Sequence, residues 1–112
     1  MISLKDSLSF TQDLSVAALN YTTTFSQAFK LGIITFHAST NLTETITITL
    51  DSFKGAIYDT VLRVKDLNGE SDHTYVPDEY TLLHPGDKLK IECTNANNTG
   101  VISGEVKALE IG

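Results

Sequence analysis

The chain has a single cysteine, Cys93, and no tryptophan. One thiol cannot close an intrachain disulfide, so a disulfide-stapled secreted scaffold is excluded, and one protomer cannot assemble a cysteine-based zinc site. Without tryptophan, a sugar-stacking platform would have to rest on tyrosine and phenylalanine. Basic charge is scarce and scattered: 8 Lys and Arg stand against 14 Asp and Glu, a formal net charge of -6. Lys5, Lys30, Lys54, Arg63, Lys65, Lys88, Lys90 and Lys107 form no cluster that could neutralise a run of phosphates. Phosphate contacts supply most nucleic-acid affinity, so no nucleic-acid partner is expected. No stretch approaches the ~18 apolar residues of a membrane helix, and no membrane partner is expected. The first eight residues lack the basic start and apolar run of a secretory signal, which points to synthesis in the cytoplasm. On that reading the Asn-x-Thr triplets at Asn20, Asn41 and Asn97 carry no weight as glycosylation sites.

What the sequence does have is a period of two. In Glu44–Leu50, Ile46, Ile48 and Leu50 share one face while Thr45, Thr47 and Thr49 share the other. Strict alternation with β-branched residues indicates a half-buried strand whose Thr face can meet water or a partner. Lys88–Thr94 repeats it, with Leu89, Ile91 and Cys93 inward and Lys88, Lys90 and Glu92 outward. The same pattern over Tyr58–Lys65 places Tyr58, Leu62 and Val64 inward; over Val101–Leu109 it places Ile102, Val106 and Ala108 inward. Leu31–Ala38 is more uniformly apolar and reads as a central strand, and Asn20–Phe25 as a further one. Residues 11–20 lean to strand over helix.

Turn chemistry separates these runs at 39–41, 52–55, 66–70, 84–87 and 95–100. Pro85-Gly86 fits the central pair of a type II turn. One domain accommodates the 112 residues, and the spacing of turns suits an antiparallel β-sandwich, jelly-roll or Ig-like. Residues 1–13 are polar and mixed, with Leu4, Leu8 and Phe10 as apolar anchors. They are expected as an extended N-terminal arm reaching onto a neighbouring subunit, with residues 14–112 as the sandwich.

No constellation for chemistry emerges. Asp66–Asp72 carries acids around a glycine turn but lacks the helical calcium-loop spacing, and an acidic hairpin turn is the simpler reading. His37, His73 and His84 have no ligand-like spacing. Asp78 and Glu79 sit in a polar segment that reads as a solvated loop. No nucleophile elbow or phosphate loop is present, and Cys93 faces the core, where a thiol is inert. No catalytic, cofactor-binding or metal-binding residue is therefore assigned, and the chain is expected not to be an enzyme. Tyr75 and Tyr80, with Asp72, Asp78 and Glu79, are where a receptor- or glycan-binding patch would be sought.

Several segments together carry a resemblance: Phe29–Ile33, His37–Ser39, Glu44–Ser52, Gly55–Leu62, Gly86–Asn95 and the closing strand near Val101–Val106. Over about residues 20–108 the chain resembles small β-sandwich virion proteins of tailed bacteriophages. The resemblance implies a structural virion component, either a capsid decoration (cement) protein or a neck or tail accessory. It would act as a homo-oligomer on the major capsid or neck and tail proteins. The alternative is a receptor- or carbohydrate-binding module of a tail fibre or tail tip. No catalytic residue is carried over from such families.

Overall fold

A computed structural model describes residues 2–77 and 81–111. Nine strands follow in chain order: β1 (Ile2–Asp13), β2 (Leu19–Thr24), β3 (Phe29–Leu42), β4 (Thr45–Asp51), β5 (Thr60–Asp66), β6 (Glu70–Tyr75), β7 (Leu82–Leu83), β8 (Lys88–Cys93) and β9 (Val101–Ile111). A single 3-10 turn at Ala56–Tyr58 precedes β5, and the described residues contain no α-helix.

The strands form two antiparallel sheets. One runs β1-β9-β3-β6, with β7 also pairing β3; the other runs β2-β8-β4-β5. This is the jelly-roll form of the expected sandwich, in which strands close in sequence alternate between sheets. Each sheet contributes one face to the core. Phe10, Leu31, Ile34, Phe36, Ala38, Ile102, Val106 and Ala108 come from the first sheet, and Leu19, Ile46, Ile48, Leu89, Ile91 and Cys93 from the second. A fully buried Leu, Ile or Phe is worth roughly 1.5–3 kcal/mol of transfer free energy, so these two faces dominate stability. Close approach of backbones also matters: a Cβ on Gly104 would collide with the Thr35 carbonyl oxygen and the Phe10 ring.

Most of the expected alternation holds, and β3 is indeed central, bonded to β9 on one side and to β6 and β7 on the other. The Pro85-Gly86 turn is also as expected: Gly86 has φ 92 and the Asp87 amide bonds the His84 carbonyl at 3.0 Å. Four expectations are corrected. Residues 39–41 are not a turn, because β3 runs through them to Leu42. Residues 2–13 are not an arm. They form β1, paired along its length with β9 of the same chain from Ile2 opposite Ile111 to Asp13 opposite Val101, with Phe10 in the core. Residues 11–20 are not one strand: β1 ends at Asp13, a turn follows, and β2 begins at Leu19. Val64 and Tyr58 do not face inward, for a reason that concerns the candidate site.

Candidate functional site

Strand β5 is bonded to β4 and forms an edge of its sheet. Its pairing follows Thr45 opposite Asp66, Ile46 opposite Lys65, Thr47 opposite Val64 and Ile48 opposite Arg63, then slips so that Thr49 meets Val61. Leu62 is the extra residue of a β-bulge, and a bulge resets which face each side chain takes. Val61 and Val64 both fall in register with the outward threonines of β4, at 58% and 57% exposure. Arg63 and Lys65 take the inward register opposite Ile48 and Ile46.

The segment before β5 carries three further exposed hydrophobics, Phe53, Ile57 and Tyr58. The Ser52 amide donates to Asp59 Oδ1 at 2.8 Å, closing the loop across which Phe53, Ile57 and Tyr58 are held. Asp87, itself buried, accepts from the Phe53 amide at 3.0 Å and the His84 amide at 2.8 Å. The Phe53 ring rests against Gly86, where a Cβ would stand 2.8 Å from it. Ile57 is 88% exposed and Phe53 76%. Five of the ten large exposed hydrophobics among the described residues thus lie within residues 53–64. Such a run along the chain, unlike singly scattered surface leucines or valines, is a candidate interaction surface.

At the opposite end of β4, Glu44 is buried and its carboxylate gathers the 94–97 loop. It accepts from Thr94 Oγ1 at 2.8 Å and from the amides of Ala96 and Asn97 at 2.9 Å each. Burial pushes its carboxyl up, but these hydrogen bonds outweigh it and hold the group below its ordinary value. This is structural chemistry: the carboxylate satisfies amides that would otherwise be unpaired.

The titratable groups singled out from sequence are dispersed. His37 Nδ1 lies 2.6 Å from Asp72 Oδ1 on the exposed face of the first sheet, so it is the hydrogen-bonded strand residue expected. His84 Nδ1 is 3.7 Å from Asp87 Oδ2 at the turn before β8. His73 faces inward, stacked on Phe36 with ring centroids 6.1 Å apart, and its buried Nε2 has no partner. Burial, then Arg63 and Lys65, hold its pKa down. In the acidic turn, Asp66 accepts from Thr45 Oγ1 and Glu70 from the Asn68 amide and Lys65, so these two carboxylates have separate partners. Among the described residues no group of three or more His, Cys, Asp or Glu side chains is placed to hold a metal ion. Cys93 is buried, and burial pushes its thiol up to about 11. Tyr75 packs half-buried against the core, while Asp78, Glu79 and Tyr80 lie outside the described residues.

Sequence reasoning missed two features. Glu44 carries no signal, since a lone acid beside threonines reads as solvated. The β5 surface did carry one: valines three apart cannot share a face of a regular strand, and the adjacent Val61-Leu62 pair marks where the period breaks.

No protein-family model matches the chain, and no curated protein does. Among solved structures it is similar to the Drosophila NLP-core, described in terms of pentamer formation and histone binding. The match has a TM-score of 0.49 and 12% identity, covering 91% of this chain and 96% of that one. At this identity and score the likeness transfers neither partner nor oligomeric state. None of these comparisons supports the virion reading. The capsid-decoration, neck and tail roles and the tail-tip glycan alternative are withdrawn. The motifs behind them, the Thr/Ile alternation of β4 and the Pro-Gly-Asp turn before β8, are strand and turn chemistry that any jelly roll needs, and a fold does not fix a function.

Proposed function

We propose that this chain is a non-catalytic assembly module, a jelly-roll domain that works by self-association through the apolar surface of residues 53–64. The observation that carries this reading is the exposed run Phe53, Ile57, Tyr58, Val61 and Val64 beside a free sheet edge. Solvent-exposed apolar area concentrated in one place costs solubility unless a partner covers it. Edge strands with unpaired backbone groups are likewise stabilised when neighbouring copies cover them, and closed symmetry is the usual way. The loop carrying Phe53 and Ile57 is fixed by the Asp59 and Asp87 carboxylates and is presented as a built surface.

The test is the mass of the purified protein in solution across a concentration series, beside Ile57→Asp. The chain weighs 12.2 kDa. A multiple of that mass for the wild type, with a shift toward the monomer in the variant, supports the reading. A wild type that stays at the monomer mass at every concentration overturns it.

A further inference from the structure

We propose that two copies join by antiparallel pairing of their β5 edges, with Val61 of each copy opposite Val64 of the other. This deepens the assembly reading above and rests on it. The sandwich has four edges, and their outward side chains differ. β2 presents Asn20, Thr22 and Thr24, β6 presents Asp72 and Thr74, and β1 presents Ser9 and Thr11. Only β5, among the described edge residues, turns two valines outward beside its unpaired backbone groups.

The register follows from face matching. Residues opposite one another in an antiparallel ladder share a face, and a slip of one residue reverses every face. In β5, Val61, Val64 and Asp66 are in register with the outward Thr49, Thr47 and Thr45, while Thr60, Arg63 and Lys65 are in register with Leu50, Ile48 and Ile46. Setting Val61 opposite Val64 of the second copy sets Thr60 opposite Lys65 and Leu62 opposite Arg63. Outward residues then meet outward ones and inward meet inward, and the bulge that spaces the valines by three makes the strand self-complementary. A slip in one direction puts Arg63 opposite Arg63 and Val61 opposite Lys65. A slip in the other puts the outward Val61 opposite the inward Arg63. Like charges directly opposed are unfavourable, so charge and face select the same register.

Charge does not oppose pairing at this edge. Asp59, Arg63, Lys65 and Asp66 sum to zero across residues 59–66, in a chain whose net charge is -6. The uncharged β2 edge is equally free of repulsion, and it is the outward valines that set β5 apart from it. The one opposed like pair, Asp59 and Asp66, falls at each end of the paired stretch. Salt screens that repulsion and the repulsion between the two acidic bodies, so association tightens as ionic strength rises. An interface built on ion pairs would loosen.

The test is cysteine pairing. In the chain carrying Val61→Cys and Val64→Cys, mild oxidation is expected to give a covalent dimer. Opposed Cα atoms of either antiparallel pair type fall within the roughly 4.4–6.8 Å that disulfides span. Native Cys93, buried with its thiol pushed up to about 11, stays out of the reaction. Each single variant, its thiol opposite a valine, is expected to show loss of the cross-link. Thr60→Cys with Lys65→Cys is a second opposed pair and serves if the first variant does not fold. Val61→Cys with Arg63→Cys reports the slipped register and is expected to stay monomeric on a non-reducing gel. Mass is read on the same wild-type sample. An oligomer in which neither opposed pair cross-links overturns the β5 pairing and leaves the assembly reading standing. A monomer at every concentration overturns both.

Discussion

β4 and β5 lie side by side and are equally long, yet they end in opposite circumstances. β4 is bonded on both sides, to β8 and β5, and its Ile46 and Ile48 are fully buried. β5 has one neighbour, bulges at Leu62 and exposes both valines. β3, also bonded on both sides, carries an extra residue between Leu31 and Ile34 and still turns both side chains into the core. β5, at an edge, absorbs its extra residue by turning its apolar side chains outward. The same residue types thus serve cohesion in one strand and contact in the next.

The largest test of this contrast is a pair of truncations. Ile48→Ala is expected to cost about 2–5 kcal/mol in urea unfolding, because it opens a cavity in a face that cannot collapse. Val61→Ala, measured at low concentration, should stay within about 0.5 kcal/mol of wild type. Equal losses would break the comparison. Next in size is the anchor at the start of β4. Glu44→Ala leaves the amides of Ala96 and Asn97 without their acceptor and is expected to cost about 1–3 kcal/mol in the same assay.

Glu44 also sets a direction in pH. Its folded pKa is held below the ordinary value, so its contribution is present above that value and is lost as pH falls through the folded one. The wild type should therefore lose urea resistance into acid more steeply than Glu44→Gln. At the mouth between β5 and β6 the sign differs in origin. His73 has a lowered pKa, so below about 6.5 the unfolded chain takes up the proton first and stability falls with pH. His73→Leu should flatten the smallest of these slopes, between neutral pH and the onset of carboxylate titration. A slope unchanged in that variant would remove His73 from the account.

How far the sequence reached follows the same line between supported and edge strands. The sandwich, the central place of β3, the inward sets of β8 and β9, and the Pro85-Gly86 turn were all legible, because period and turn chemistry are local. The first thirteen residues were not. β1 is polar enough to read as an arm, and it is placed by pairing with β9, nearly the whole chain away. β5 was misread because Tyr58, Leu62 and Val64 fit a period of two that the bulge breaks. Glu44 was invisible because its worth lies in a loop fifty residues on. The resemblance to virion proteins failed as a functional guide for a related reason: it rested on segments whose chemistry is that of the fold.

The most direct measurement of the central claim is amide hydrogen exchange over residues 53–66, compared between dilute and concentrated protein. If this surface and the β5 edge are where copies meet, the amides of Thr60–Asp66 gain protection as concentration rises while those of the edge strand β2 do not. Exchange in β5 that is fast and independent of concentration, alongside unchanged protection elsewhere, would contradict the account.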